Sequence, residues 1–352
     1  MKEEPIIRAV ILAAGRGERM QPLSDLVPKP LLFCAGMTLI ERLIHSFRVA
    51  GVRKFTVGVG WKGELVREHL MTLSDNNLID VVDVPNYERG PLQTLVTALS
   101  TVNDREFLIS PTDYFVVPEA ISALLSEHSH GTGSRILTLM VGPNREKGTP
   151  VFAGTDGLVA GIGESTEAAT SIGSSAMLVI AERSFKSWCT ETLEDGAAKV
   201  VSAINRMITE GKSVRYAVTK QQWFDIDNLS ALLKLNHHLL QNMMSYAKGW
   251  LFMPSGQEVI ASQRGDLPSS VEFGAGAKVI GPVLISHSCH VGAGATVGPF
   301  VTMGRNSRVG PRTSVVESIL FGDSEVLARA RVENAAVYGQ TVYRSESTHV
   351  AK

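Results

Sequence analysis

Cysteine is scarce, with three residues in 352, at positions 34, 189 and 289, and no CxxC pair among them. An odd number of widely separated thiols builds neither a disulfide framework nor a structural zinc site, so a reducing cytoplasm is the expected setting. An excess of charge of one sign is also missing. Lys and Arg number 34 against 35 Asp and Glu, for a net charge of −1. No basic field exists to track a nucleic-acid backbone or to hold an anionic bilayer, which argues against nucleic acid and membrane as partners. No apolar run approaches the roughly 20 residues that a membrane span requires. The first residues, with Glu3 and Glu4 ahead of a short apolar run, do not read as a secretory signal. What the chain does have is 44% hydrophobic and 20% charged residues, the balance of an ordinary folded protein. Its length exceeds what one hydrophobic core organises, so two domains are expected.

The first 235 residues alternate β-rich runs with amphipathic helical stretches. Residues 8–12 form an apolar run of the kind that fills a buried parallel strand. Residues 38–50 follow as a helix, with Leu39, Leu43, Ile44 and Phe47 on one stripe. Strands are expected at 55–59, 79–84, 107–109, 136–140, 176–180 and 214–218, and further helices at 64–70 and 92–99. The alternation predicts an α/β domain over 1–235, Rossmann-like, with a mixed or mostly parallel sheet covered by helices on both faces. Residues 236–267 read as a helical connector carrying His237 and His238, which are adjacent, point different ways and suit solvated surface.

From about residue 256 the pattern changes. Aliphatic or aromatic residues recur every six positions from Phe273 through Val279, Ile285, Val291, Val297, Met303, Val309, Val315 and Phe321 to Leu327, ten in one register. Two positions before each sits a small or aliphatic residue, with Glu325 the one break. Glycine directly follows the periodic residue at 274, 292, 298, 304, 310 and 322, where tight corners with positive φ are expected. One large and one small inward position per hexad describe stacked coils of a parallel β-helix over 268–345. This stretch resembles the hexapeptide-repeat left-handed β-helix family, whose flat faces imply a homo-oligomer.

The first strand runs directly into Leu12-Ala13-Ala14-Gly15-Arg16-Gly17-Glu18-Arg19-Met20-Gln21-Pro22-Leu23. Small residues at the carboxyl end of a strand let the backbone approach a triphosphate and aim N–H groups at it. A dinucleotide fold would carry a third glycine and a P-loop a Gly-Lys-Ser/Thr, and neither is here. Instead Arg19 follows the second glycine by two residues, and Lys29 stands between Pro28 and Pro30 in an extended, stiffened segment. One guanidinium and one ammonium beside a glycine turn suit a departing pyrophosphate. Together with Pro28-Lys29-Pro30, this string resembles the signature of the sugar-1-phosphate nucleotidyltransferases, the nucleotide-sugar pyrophosphorylases.

That resemblance implies Mg²⁺ held by two acids. Asp113 ends the apolar run 107–112, with Thr112 where the family has glycine. Asp225 lies in Trp223-Phe224-Asp225-Ile226-Asp227-Asn228, which is similar to the family's Trp-x-Asp-Ile-Gly-Thr. Asp227 competes for the role but also suits capping of a helix near Leu229. Gly148 matches the glycine at which the sugar closes in, and Glu164 the acid that bonds sugar hydroxyls. Ser165 replaces the usual lysine, which leaves Lys199 as a substitute cation or implies a different acceptor. Tyr87-Glu88-Arg89-Gly90-Pro91-Leu92-Gln93 stands in the base-recognition position and is also similar to the cytidylyltransferases for inositol phosphate and phosphocholine. Gly90 would admit the base, and Gln93 would bond it or open the next helix.

The implied reaction is attack of a sugar 1-phosphate oxygen on the α-phosphorus of an NTP, with pyrophosphate leaving. Positioning and charge neutralisation do the catalytic work, because the attacking group is already anionic. Alternatives are a cytidylyltransferase for a non-sugar phosphate, a bifunctional enzyme whose β-helix transfers acyl groups through His287 or His290, and a non-catalytic regulatory subunit. A degenerate subunit would be expected to lose one of Arg19, Lys29, Asp113 or Asp225. The identity of the base and of the sugar, the oligomer number and any allosteric effector do not follow from the sequence.

Overall fold

A computed structural model of the chain describes residues 8–73, 76–130, 136–143, 148–163, 169–243, 250–260 and 270–344. Two compact units emerge. The first comprises Met1–Glu18, Ser24–Leu31 and Ile40–Asp225, and the second Arg19–Leu23, Leu32–Leu39 and Ile226–Lys352.

The first unit is built on a nine-stranded sheet. Strand Arg8–Ala13 lies between Lys54–Val59 and Glu106–Pro111, parallel to both, and Ile79–Asp83 continues the parallel set beyond Lys54–Val59. The other half is mixed. The long strand Thr170–Glu182 runs antiparallel to Glu106–Pro111, Leu137–Gly142 and Pro150–Ala153. Strand alternation decides which core each side chain joins. Ala9, Ile11 and Ala13 pack with Ile40, Leu43, Ile44 and Phe47 of helix Leu39–Val49. Val10 and Leu12 pack on the opposite face with Leu92, Leu95 and Leu99 of helix Pro91–Leu99. A central strand buried on both faces needs an uninterrupted apolar run, which is what residues 9–14 supply.

The second unit is a parallel β-helix of three sheets. Strands from Val271–Phe273, Lys278–Ile280 and Val283–Ile285 onward pair in parallel with the strand one coil later. Leu251–Met253 and Glu258–Ile260 are strands lying antiparallel on the first coil. The expected helical connector over 236–267 is therefore not what forms. Its helix occupies Leu229–Asn242, and the residues described after it join the sheets.

The hexad register also departs from expectation. Val283 pairs with Val301, eighteen residues on, whereas Thr302 pairs with Ile319, only seventeen on. One residue is missing from the corner after Val315, so the inward positions become Leu320, Val326 and Val332. Leu327, counted as inward from the sequence, is 59% exposed. Glu325 breaks no rule, because the small inward position is Ser324, whose hydroxyl donates to the Val337 carbonyl at 2.9 Å.

The repeat glycines serve a different need from the one expected. Of the six that follow periodic residues, only Gly298 has a positive φ. At Gly292 a β-carbon would come within 2.6 Å of Pro311 N on the next coil, so close stacking of coils requires glycine there. Left-handed corners are instead occupied by Ser288, Asn306, Asp323, Arg312 and Arg329 among others.

The third face of the β-helix is covered by helix Leu229–Asn242 and by the short hairpin Phe33–Cys34 with Met37–Thr38. Buried Asn236 joins all three parts. Its Oδ1 accepts from Ala35 N at 3.0 Å and from Thr302 Oγ1 at 2.7 Å, while its Nδ2 donates to Phe300 O at 3.3 Å. His237 is not solvated surface, since its ring stacks on Phe300 with 3.4 Å between centroids.

Candidate active site

Parallel strands Arg8–Ala13, Lys54–Val59 and Glu106–Pro111 end side by side, and the loops at their carboxyl ends hold the candidate residues. The first loop begins at Ala14, whose carbonyl accepts from Trp61 N at 2.9 Å. Thr112 N and Oγ1 both donate to the Leu12 carbonyl, at 3.2 and 3.3 Å. The threonine that replaces glycine therefore fastens the end of one strand to the start of the loop. Gly17 has φ +70, and a β-carbon there would sit 3.2 Å from Lys29 Cβ. Ser24 Oγ donates to the Gly17 carbonyl at 2.9 Å. The glycine turn and the Lys29 stem are thus packed together.

Lys29 Nζ donates to Asp113 Oδ2 at 2.6 Å, with the two side chains 11% and 23% exposed. The other oxygen, Oδ1, is buried and has no hydrogen-bond partner among the described residues. A buried carboxylate oxygen left unpaired costs about 1–3 kcal/mol or more, so such a group calls for a ligand.

Asp225 ends strand Trp223–Asp225, which pairs with Tyr114–Val116. In that ladder Asp225 lies opposite Tyr114, the residue directly after Asp113, and Tyr114 Oη donates to Asp225 Oδ2 at 3.5 Å. Two acids 112 positions apart in sequence are thereby brought to neighbouring places. Trp223 sets the strand: its ring stacks on Tyr114 at 5.3 Å and its edge abuts Gly142. Among the described residues no group of three or more His, Cys, Asp or Glu side chains forms a metal cage. A pair of carboxylates is the donor set that Mg²⁺ takes when phosphate and water complete its shell, and the orphaned Oδ1 fits it.

Arg19 is placed differently. Its guanidinium pairs with Asp227 Oδ2 at 2.5 Å and its side chain is 71% exposed. Asp227 is not the helix cap expected for it. Asn228 caps Leu229–Asn242 by accepting from Ala231 N at 2.9 Å, and Asn228 Nδ2 also donates to Asp227 Oδ1.

On the expected base side, Gly90 has φ +107, and a β-carbon there would lie 2.8 Å from the Ala198 carbonyl, which also accepts from Leu92 N. Internal packing thus explains this glycine. Gln93 accepts at 3.2 Å from Arg89 in the turn before its helix and donates along the helix to Thr97 Oγ1 at 3.0 Å. On the expected sugar side, Gly148 leads into strand Pro150–Ala153, and Gly163 N donates to the Pro150 carbonyl at 2.8 Å. Those two segments meet. Glu164 lies outside the described residues. Lys199 is exposed just before helix Val200–Thr209. His290 is a surface residue beside Glu272 at 3.3 Å, and His287 sits by Ser286 Oγ at 3.4 Å.

Sequence reasoning passed over the turn after the second parallel strand. Gly60 has no room for a β-carbon, which would lie 2.6 Å from the Tyr87 ring and 2.8 Å from the Ala14 carbonyl. Trp61 Nε1 donates to Ser24 O at 3.3 Å, and the Arg16 guanidinium lies 4.7 Å from the Trp61 ring centroid. The available signal was a Gly-Trp-Lys-Gly string where a strand meets a helix.

Among the described residues no helix is long and apolar enough to cross a membrane. Residues 279–350 match the GMPPB C-terminal domain. A glucose-1-phosphate thymidylyltransferase of Streptomyces griseus is 22% identical over 361 residues, covering 98% of this chain and 92% of that protein. A bifunctional IPC transferase and DIPP synthase of Rubrobacter xylanophilus is 34% identical over 120 residues, 34% of this chain, and the match spans only 26% of that relative's length. The solved inositol-1-phosphate CTP transferase from T. maritima shares the fold, with a TM-score of 0.57 and 17% identity over 69% of this chain and 99% of that one. The glycine turn, Lys29 and Asp113 all fall within residues 9–184, which match the MobA-like NTP transferase domain, and the chain belongs to that family.

Proposed function

We infer that the chain is a sugar-1-phosphate nucleotidyltransferase, joining a nucleotidyl group from an NTP to a sugar 1-phosphate with release of pyrophosphate. The observation that carries this reading is the Lys29–Asp113 pair beside the glycine turn, with one buried Asp113 oxygen unpaired. The near full-length similarity to a thymidylyltransferase supports the sugar phosphate as acceptor. Asp113 and Asp225 would hold Mg²⁺, which supplies neutralisation of phosphate charge. The residues 15–17 backbone and Lys29 bind the phosphates of the NTP, and Lys29 offsets charge that develops on the departing pyrophosphate. The acceptor phosphate is anionic before attack, so no general base is needed. The segments at Gly148 and Gly163 receive the acceptor.

A second acceptor class, a non-sugar phosphate or phosphonate, is favoured by the Glu88-Arg89-Gly90 string and by local similarity to a 2-aminoethylphosphonate cytidylyltransferase, 29% identical over 115 residues. Pyrophosphate release from a matrix of CTP, UTP, dTTP, GTP and ATP against sugar 1-phosphates, inositol phosphate and aminoethylphosphonate, with and without Mg²⁺, decides between them. Release with a sugar 1-phosphate alone upholds the first reading. No release with any pair, at any Mg²⁺ concentration, overturns both. Self-association through the β-helix belongs to the same reading, and light scattering of the whole chain tests it.

A further inference from the structure

We propose that the turn Gly60-Trp61-Lys62-Gly63 is a clasp for the phosphate-facing segment, and that Lys62 is a positioning residue for nucleotide binding. The inference rests on the nucleotidyltransferase reading above and names a part of its machinery outside the glycine signature.

The turn sits between strand Lys54–Val59 and helix Gly63–Met71 and is closed by Gly63 N donating to the Gly60 carbonyl at 3.0 Å. It reaches the phosphate-facing segment at both ends. At the near end, Trp61 N holds the Ala14 carbonyl, and the Trp61 face carries the Arg16 guanidinium. At the far end, Lys62 Nζ donates to the carbonyls of Asp25 at 2.6 Å and Leu26 at 3.1 Å, three to four residues before Lys29. Arg16 closes the ring by pairing with Asp25 Oδ1 at 3.0 Å.

Two backbone carbonyls converging on one ammonium is a specific arrangement, because a loop carbonyl bonds water equally well unless a donor is fixed in place. The donor is fixed. Lys62 has φ +51, a left-handed conformation that costs a residue with a β-carbon about 1–2 kcal/mol relative to glycine. The fold sustains that cost at the position whose side chain spans to Asp25 and Leu26. A loop that binds a triphosphate through backbone N–H groups must hold them aimed before the ligand arrives, or affinity is spent on ordering it. Lys62 thus acts on the nucleotide through residues 25–29 and touches none of it.

The test compares Lys62→Met, which keeps the stem and removes the donor, with Lys62→Arg, which restores N–H donors. Amide hydrogen exchange across residues 14–18 and 24–28, the dissociation constant for each NTP with Mg²⁺, and the thermal midpoint are measured on the whole chain. Lys62→Met is expected to speed exchange in those two segments and to weaken NTP binding by about tenfold, because the freed loop must then be ordered as the ligand binds. The thermal midpoint is expected to fall by no more than about a few degrees, and Lys62→Arg to recover both it and most of the affinity. Unchanged exchange or unchanged NTP affinity in Lys62→Met overturns the proposal, as does a general loss of stability that Lys62→Arg does not relieve. A wild-type chain that binds no NTP would instead sink the nucleotidyltransferase reading, while the exchange data still report whether Lys62 clasps the loop.

Discussion

Gly142 is the point at which a single methyl group should disable the site without touching any acid. It closes strand Leu137–Gly142, and a β-carbon there would lie 2.1 Å from Trp223 Nε1 and 2.8 Å from Trp223 Cδ1. Ordinary contact begins near 3.5 Å, so the indole must retreat by about 1.4 Å. Trp223 is 2% exposed and its ring is stacked on Tyr114, which leaves no rotamer free to absorb the shift. The backbone of Trp223–Asp225 must move, and Asp225 moves with it. Misplacement of a reacting or metal-holding group by about 1 Å costs on the order of 100-fold in turnover. Overpacking itself costs about 1–3 kcal/mol, too little to unfold a domain of this size. Gly142→Ala is therefore expected to lower kcat for pyrophosphate release by about 100-fold while circular dichroism and cooperative unfolding persist. Gly322→Ala is the control, because its β-carbon would meet nothing nearer than Arg305 O at 3.5 Å. Gly142→Ala with wild-type turnover would falsify the claim that the Trp223 strand sets the position of Asp225.

Asp225→Ala should abolish Mg²⁺-dependent turnover in a folded chain, and Lys29→Ala should lower it by about 100-fold or more if Lys29 meets transition-state charge; full activity in either variant removes that residue from the mechanism. Asn236→Ala removes the partner of two buried groups, Ala35 N–H and the Thr302 hydroxyl, and of the part-buried Phe300 carbonyl. At about 1–3 kcal/mol for an unsatisfied buried group, a loss of roughly 2–5 kcal/mol is expected by urea unfolding, and a loss under about 1 kcal/mol contradicts the linchpin role. Burial pushes the Cys289 thiol from 9.0 up to about 11, so iodoacetamide at pH 8 should leave it unmodified until the chain is unfolded. The unfolded thiol loses its proton first, so this group's contribution to stability falls as pH rises from about 9 toward 11, and a flat stability profile there contradicts the shift.

Most of the architecture was legible because two periodicities dominate the sequence. Buried strands at 8–12, 55–59 and 107–109 are short apolar runs between amphipathic helices, and both cores follow from alternation along them. The antiparallel course of Thr170–Glu182 was not legible, since direction within a sheet is set by connections and not by local composition. The β-helix period was plain, yet a single missing residue after Val315 turned the count against the reader. Phe321, next after it, remains buried in either register, so nothing local announced the slip before Leu327 faced solvent. The glycines misled for a related reason. Composition cannot distinguish a residue that needs left-handed backbone from one that needs the absence of a β-carbon, and here neighbouring coils impose the second.

The site divides along the same line. The glycine turn follows its strand directly, but Lys29 begins a short 3-10 helix, Lys29–Leu31, where its flanking prolines suggested an extended segment. Asp113 and Asp225 could be matched only through resemblance, and what joins them is the two-stranded ladder of Tyr114–Val116 with Trp223–Asp225, a long-range pairing with no local mark. Asp227 shows the limit of reading a residue by its position beside a helix. Two polar residues precede Leu229, either of which caps equally well on propensity. The cap went to Asn228, and that freed a carboxylate to engage Arg19. A family that places glycine at 227 has no such counter-ion. Here Asp227 is that counter-ion, and it holds the Arg19 guanidinium within the second unit.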